Sequence, residues 1–240
     1  MFPRNSNHEF ELICQVVNTA LRAVAKSTAA YHDLDHTMQV TLVGHEILQG
    51  RQSCEGDVTP TDWLHFITAL LCHDVGYIRG VCHDDQPECD CYSNGLNNKL
   101  IKLDSTSTDA SLRLVHVDRS KRFVAEQFAD LPILNIERIQ HYIELTRFPI
   151  SPELMYQDVL GYPGLTRAAD LLGQLSDPGY LAKITALFKE FEETGVHTSM
   201  GYYQAKDLRA AYPKFYWNTV SSYVQHGIRY LELTQSGLSI

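Results

Sequence analysis

Apolar residues recur at three- and four-residue steps through most of this chain, and this periodicity constrains the fold more than any other feature. Residues 66–72 are apolar except for one threonine and follow Trp63, which predicts a helix with a broad buried stripe. Residues 59–62 give this helix a capping hydroxyl, an early proline and an acid in its first turn. The same reasoning predicts further helices at residues 9–26, 36–49 (ended by Gly50), 119–129, 135–146, 164–175, 180–193 and 214–233.

Strand-like alternation is almost absent, and residues 112–117 are the best short candidate. Residues 81–108 are rich in Asp, Asn, Ser, Gly and Cys, which indicates an irregular excursion over the surface. Because the chain shows neither an internal repeat nor a linker, the pattern predicts one all-α domain over residues 1–240. Its C-terminal helices are expected at about 178–235.

Charge and composition exclude some classes of function. The chain has 20 Lys and Arg residues against 29 Asp and Glu residues, a formal net charge of −9. This excess argues against a general nucleic-acid surface, although local cations and a metal can still dominate one phosphate pocket. No apolar stretch approaches the ~20 residues that span a bilayer, and the first residues do not resemble a signal peptide. Since six cysteines in a chain of this length do not indicate a disulfide scaffold, we expect a cytoplasmic protein without a membrane partner.

His73 and Asp74 follow the buried run directly, and Val75 and Gly76 mark the end of its helix. Residues 73 and 74 would point about 100° apart on an ideal helix, so a helix end helps both to reach one ion. Imidazole nitrogen and carboxylate oxygen suit Zn, Mn, Fe and similar ions, and a carboxylate can also bridge two ions. The alternative interpretation is a solvated or capping His-Asp pair.

Two further residues are ligand candidates because of where they lie. Asp170 stands in an apolar stretch, where an unpaired carboxylate would be costly; its alternative is an ion pair with Arg167 or a helix cap. His36 lies on the helical face of Val40 and Val43, where a lone histidine is usually a hydrogen-bonded core residue. The order of these residues along the chain favours a metal site.

This order, with Tyr31-His32, His36 and the residues 71–74, resembles the HD-domain metal-dependent phosphohydrolase superfamily. The resemblance covers roughly residues 31–175 and implies a single HD-type helical bundle with its metal core there and an insertion after the His-Asp pair. The spacing of His32 and His36 is similar to that of cyclic-nucleotide phosphodiesterases. The spacing from His141 to Asp170 is similar to that of two-metal members such as the HD-GYP type. The resemblance implies that one ion is bound by His36, His73, Asp74 and Asp170, and that a second would add His116 and His141.

The resemblance also assigns a role to His32, which would protonate the leaving oxygen. The alternative is a capping or supporting histidine that Asp33 and Asp35 orient. His141 is equally open to a structural role, because it shares a helical face with Leu134 and Leu145. The chain departs from many two-metal members at Tyr77, where they carry a lysine.

A cluster of cations follows His116. Arg119 and Arg122 could fork onto phosphate oxygens, as could Arg147 further along, whereas the alternative is a solvated helix face. The cysteines of residues 81–98 lack a Cys-x-x-Cys pair, so free thiols are the expected state there, with a zinc site or a mobile acidic lid as alternatives. Trp217 shares a predicted helical face with Val220, which indicates core packing or, as a second interpretation, a homodimer contact.

The sequence therefore predicts a hydrolase that cleaves a phosphate ester or phosphodiester, with nucleotides among the candidate substrates. His32 and Asp74 are its expected catalytic residues, and the expected cofactor is one or two divalent ions of Fe, Mn, Zn, Ni or Co, with Mg a further candidate. Two alternatives stay open. The same six-ligand order resembles di-iron HD-fold oxygenases of the myo-inositol oxygenase kind, and a non-catalytic nucleotide-binding HD signalling module would share the fold.

Overall fold

The chain forms an all-α structure with one small hairpin, which confirms the predicted fold class. The computed structural model describes residues 7–97 and 99–234. Residues 1–6, which the sequence analysis compared with a signal peptide, lie outside the described residues. Position 98 and residues 235–240 lie outside them as well. The helices and strands are α1 (Asn7–Val24), α2 (Leu34–Glu55), α3 (Pro60–Cys72), β1 (Cys91–Ser93), β2 (Leu100–Lys102), α4 (His116–Phe128), α5 (Ile136–Glu144), α6 (Tyr162–Ser176), α7 (Tyr180–Glu193), α8 (Val196–Ser199), α9 (Ala205–Phe215) and α10 (Ser221–Leu231).

Helix α3 lies in the centre of the core. Thr59 caps it through a full capping box with Asp62, as the sequence predicts, and every residue from Leu64 to Cys72 is buried. Glycines let the neighbouring helices approach closely. A Cβ at Gly44 would lie 2.1 Å from the Leu70 side chain, and one at Gly173 would lie 2.8 Å from the Val40 backbone. Helices α2, α3 and α6 therefore form a tightly packed layer that carries the candidate ligands.

Helix α2 is longer than predicted. Gly50 does not end it, because the helix continues to Glu55 and ends at Gly56, whose φ of 70° lies in the left-handed region. Gly50 instead faces helix α10, where a Cβ would lie 1.9 Å from the Tyr230 carbonyl oxygen. This glycine thus serves close helix packing.

Two predicted segments differ from the structure. Residues 112–117 are not a strand, because a 3₁₀ turn at Asp109–Leu112 leads directly into helix α4. The single helix predicted at 214–233 is divided by a π-helical turn at Tyr216–Val220, three residues after Pro213 removes a backbone donor. This turn shifts the helical face, so Val220 is buried whereas Trp217 is 70% exposed.

A second, smaller cluster of buried side chains covers one side of the core. Helices α7 and α9 supply most of it, and Tyr31 packs against them from the start of α2. None of the helices within the described ranges has both the length and the hydrophobicity of a bilayer crossing. Strands β1 and β2 pair antiparallel within the insertion and bring Tyr92 opposite Ile101.

Candidate metal centre

His73 and Asp74 lie where helix α3 gives way to a 3₁₀ turn at Val75–Tyr77. The Nδ1 atom of His73 lies 2.7 Å from the Leu70 carbonyl oxygen, so this nitrogen carries the proton and donates it. In the neutral imidazole, the form that binds metals, the opposite nitrogen, Nε2, therefore has a free lone pair. It is fully buried and has no hydrogen-bond partner among the described residues. A buried, unpartnered imidazole nitrogen is costly unless it binds something.

Three other side chains surround this nitrogen. The His73 Nε2 atom lies 3.2 Å from the Asp74 carboxylate and 3.6 Å from that of Asp170 on helix α6. His36 Nε2, from the first turn of helix α2, lies 3.4 Å from Asp74 and 3.6 Å from Asp170. The structure thus brings together all four residues that the family resemblance assigns to one ion.

The separations of these atoms suit a shared ion. Ligand atoms placed about 2.1 Å from a metal lie roughly 3.0–3.4 Å from one another in tetrahedral or octahedral arrangements. The observed nitrogen–oxygen distances of 3.2–3.6 Å are close to that range. Within the described part of the chain, His36, His73 and Asp74 also form the one buried group whose ligand atoms all lie within 4.8 Å of one another. The residues present therefore fit a divalent ion bound through nitrogen and oxygen.

Electrostatics point the same way. Burial alone would lower the pKa of His73, but the negative charges of Asp74 and Asp170 raise it well above its usual value. For Asp170, burial raises the pKa, yet His36 and His73 outweigh this and lower it to about 2. The buried carboxylate of Asp74 and the partly buried one of Asp170 face two imidazoles and thus favour a positive charge between them, which a divalent ion supplies.

His116, the first residue of helix α4, approaches the same set from another side. Its Nδ1 atom lies 2.6 Å from the Arg113 carbonyl oxygen, which leaves Nε2 with its lone pair 3.7 Å from Asp74 Oδ1. Burial lowers the pKa of His116 to about 4 despite the charge of Asp74, so this imidazole is neutral and able to bind a metal. The two oxygens of Asp74 therefore face different histidines, as in a carboxylate that bridges two ions.

His32 lies just before helix α2, beyond its capping residue Asp33, and not in the helix as the spacing allows. Glu190 of helix α7, rather than Asp33 or Asp35, orients it: the Nδ1 atom of His32 lies 2.6 Å from the Glu190 carboxylate. Burial would lower the pKa of His32, but the charge and hydrogen bond of Glu190 outweigh it and raise the pKa to about 9. His32 is therefore held as an imidazolium at the rim of the ligand set.

Tyr77 lies between two histidines of the cleft. Its ring stacks on His32 at 4.5 Å between centroids and on His116 at 4.3 Å, with interplanar angles of 18° and 19°. The phenol ring thus holds His32 and His116 at a fixed separation from each other. The sequence singled out Tyr77 but not this packing.

The structure does not bring His141 to this site, so the second-metal set that the resemblance implies is not assembled around His73. Helix α5 buries Ile139, Tyr142 and Ile143, so His141 is turned outward and is exposed. It lines a separate surface groove with Arg122 and Lys121. Leu134 lies before the helix and Leu145 is its C-cap residue, so neither of them defines the face that packs.

Two of the three predicted phosphate-binding arginines have structural roles instead. Arg119 is fully buried, and its guanidinium donates to Asp85 and to the carbonyl oxygens of Gly76, Ile78 and Ser93. Arg122 is held by Asp84 and Glu126. Because helix α4 begins at His116, these side chains point toward the insertion rather than toward the ligands.

A cleft of about 1110 Å³, open solvent at its mouth included, leads to the ligand set. His32, His36, Asp74, His116 and Asp170 line it. Three arginines do so as well, namely Arg113, Arg147 and Arg167. None of the described residues in 81–97 borders the cleft.

Glu190 and Arg113 were missed by the sequence reasoning. Glu190 follows Ile184 and Leu187 at helical spacing on the buried face of α7, so a carboxylate on an apolar stripe was the available signal. Arg113 precedes His116 by one turn, and no local pattern distinguishes it from the other arginines.

Ser120 and Gly76 hold the His-Asp turn against helix α4. The Ser120 hydroxyl donates to the His73 carbonyl oxygen at 2.6 Å and accepts the Gly76 backbone N–H at 2.8 Å. A Cβ at Gly76 would lie only 1.8 Å from the His116 carbonyl oxygen. Glycine is therefore required for the turn to approach the helix that carries His116.

We expect Gly76→Ala to lower the free energy of unfolding by about 3 kcal/mol, because backbone must move to admit the methyl group. Urea unfolding followed by circular dichroism measures this change. Gly179→Ala is the control, since its nearest neighbour is the end of a flexible side chain at 3.1 Å. Equal unfolding midpoints for Gly76→Ala and wild type would contradict the packing described for this turn.

The family of the chain is identified by its sequence. A model of the family described as Npun_R2479-like matches residues 2–240. No curated protein and no solved structure matches the chain. The family description names no reaction, so a functional assignment depends on the chemistry of the site.

Proposed function

The chain belongs to the Npun_R2479-like family, and we propose that it is a metal-dependent phosphohydrolase that cleaves a phosphate ester or phosphodiester. The observation that carries this proposal is the buried Nε2 atom of His73, which has no hydrogen-bond partner among the described residues and faces the carboxylates of Asp74 and Asp170. The resemblance of the sequence to HD-domain phosphohydrolases suggests that the reaction at this site is phosphate-ester hydrolysis.

His36, His73, Asp74 and Asp170 would hold the ion, and a second ion would use His116 with the other oxygen of Asp74. Nitrogen and oxygen donors suit Fe, Mn, Zn, Ni or Co, with Mg a further candidate. A divalent ion supplies Lewis acidity toward phosphate oxygens and lowers the pKa of water toward neutrality.

The protein residues around this set would perform the remaining steps. Asp74 and Asp170 keep the ligand set anionic, so an ion is retained while phosphate oxygens approach it. His32 presents its Nε2 atom to the cleft, because Glu190 occupies the opposite nitrogen. It would donate this proton to the oxygen of the departing alcohol, and Glu190 would stabilise the ring in both protonation states.

The position of His141 supports a hydrolase more than a di-iron oxygenase. The oxygenase resemblance needs six ligands in order, and the exposed His141 leaves five of them around the cleft. A hydrolase with one filled metal site needs only four ligands, which are His73 and the three side chains around it. Iron content and oxygen consumption separate the two classes directly.

Metal removal and restoration test the proposal. Protein purified without added metal is analysed for its elements, then assayed against a panel of phosphate monoesters and diesters. We expect about one divalent ion per chain, hydrolysis that chelation with EDTA abolishes, and recovery with Mn²⁺, Zn²⁺, Co²⁺, Ni²⁺ or Fe²⁺. A protein that binds none of these ions and hydrolyses no phosphate ester would sink the proposal.

The proposed proton donor makes a separate prediction. We expect His32→Gln to lower kcat about 100-fold or more on alkyl phosphates, whose leaving oxygens need a proton. The same substitution should have a much smaller effect on 4-nitrophenyl phosphate, whose leaving group departs as a stable anion.

Steady-state kinetics with both substrates, on protein of equal metal content, measures this difference. His45→Gln is the control, because this histidine lies on α2 and contacts Trp63 away from the cleft. An equal loss on both substrates would show that His32 positions the substrate rather than protonating it.

A further inference from the structure

We propose that Arg113 binds the phosphate of a substrate whose organic group is aromatic, and that the apolar wall of helices α7 and α9 receives this group. The inference rests on the proposed function, since it names the substrate class of the same site. It narrows that class from phosphate esters in general to aryl or benzylic esters.

Arg113 stands apart from the other two arginines of the cleft. Arg147 is neutralised by Glu144 and Asp118, at 2.5 and 2.8 Å. Arg167 donates to the carbonyl oxygens of Tyr156 and Asp158. The guanidinium of Arg113 makes no hydrogen bond or ion pair with any residue in 7–97 or 99–234.

The position of Arg113 suits contact with a phosphate at the metal site. Its carbonyl oxygen accepts the Nδ1 proton of His116, so the arginine begins one turn before this candidate ligand. Its side chain is half-buried and lines the same cleft as Asp74 and Asp170. An unpaired guanidinium beside a carboxylate-rich ligand set is suited to an anionic group that bridges the ion and the arginine.

Most of the remaining residues that line the cleft are apolar or aromatic. Helix α7 contributes residues next to Glu190, helix α9 contributes its inner face, and the segment after α5 closes the side. Phe148 meets Phe215 edge-on at 5.8 Å between ring centroids. This wall is made of Phe148, Leu187, Phe191, Tyr202, Leu208 and Phe215.

Such a wall offers dispersion and ring stacking. Two polar side chains of the cleft are already paired, because Gln174 donates to the Tyr180 hydroxyl and Thr146 donates to the Ile143 carbonyl oxygen. Tyrosine hydroxyls are therefore the main polar groups that the wall offers to a ligand. Because the wall and the ligand set share one cleft, the organic part of a bound ester reaches the wall while its phosphate reaches the ion. An aromatic group therefore fits better than a strongly polar one.

Binding of two phosphonates, which the enzyme cannot hydrolyse, tests the inference. Calorimetry compares benzylphosphonate with methylphosphonate on metal-loaded protein. We expect benzylphosphonate to bind at least about tenfold more tightly. Arg113→Gln should weaken both ligands about tenfold or more, because a charge-assisted contact is lost. Arg209→Gln, on the exposed face of helix α9, is its matched control.

The wall has its own variant. Phe148 is 40% exposed, so Phe148→Ala is expected to fold and to weaken benzylphosphonate roughly fivefold while leaving methylphosphonate unchanged. Tyr203→Ala is the control, since Tyr203 is 78% exposed and lies outside the cleft.

Each result decides a part of the inference. Equal affinity for the two phosphonates would overturn the aromatic assignment, unchanged binding in Arg113→Gln would overturn the role of the arginine, and no binding would overturn both. If the phosphonates bind as expected but no aryl or benzyl ester is hydrolysed, the substrate site stands and the proposed reaction is wrong.

Discussion

Asp74→Asn is expected to empty the metal site and to lower hydrolysis at least about a thousandfold, because the ion contributes several kcal/mol to the transition state. The two oxygens of Asp74 face three histidines, so no other side chain of the site contacts as many candidate ligands. Asparagine keeps the shape of aspartate but loses the charge and one acceptor. Elemental analysis and initial rates on the same preparation measure both effects.

Asp130→Asn is the matched control, since this aspartate is exposed and distant from the cleft. Its metal content and rate should equal those of the wild type. Circular dichroism of Asp74→Asn should show the helical content of the wild type, so that a loss of activity is not a loss of fold. Wild-type activity in Asp74→Asn would place the reaction elsewhere in the molecule.

Arg119→Met is expected to give the largest loss of stability among the arginine substitutions, about 3–5 kcal/mol, with Tm lower by roughly 10 °C. The guanidinium and the Asp85 carboxylate are both almost fully buried, 2.9 Å apart. Removing the arginine leaves a buried carboxylate without its counter-charge and takes the guanidinium donor from three carbonyl oxygens. Thermal unfolding measures the change.

Arg209→Met, at an exposed position of helix α9, should change Tm by less than about 2 °C. The comparison also decides between the two roles considered for Arg119. If Arg119 bound substrate instead, Arg119→Met would raise KM and leave Tm near that of the wild type. That result would contradict its structural role.

Much of the fold follows from patterns in the sequence because helix periodicity is a local property. The apolar run before His73 predicts a buried helix, and Thr59 with Asp62 marks its first turn; the structure has both. His73 and the three side chains around it lie together because they occur at the ends or on the inner faces of helices that the sequence predicts well. Their order along the chain, compared with the HD superfamily, selects them.

The remaining features depend on contacts between distant segments. Glu190 contacts His32, from which it is separated by 158 positions in the sequence. Arg119 contacts Asp85 of the insertion, 34 positions before it. Whether an arginine pairs with a carbonyl oxygen, a carboxylate or a ligand is decided by such packing. His141 shows a different reason, since the face of α5 that packs is the one with Ile139, Tyr142 and Ile143, and His141 lies on the other face.

The most direct test of the metal centre is anomalous X-ray diffraction from crystals of protein loaded with Mn²⁺ or Zn²⁺. We predict a strong anomalous peak about 2.0–2.2 Å from the Nε2 atoms of His36 and His73 and from carboxylate oxygens of Asp74 and Asp170. Any second peak should lie between Asp74 and His116. Loaded crystals with no peak at His73, or with their peak at the cysteines of the insertion instead, would contradict the central claim.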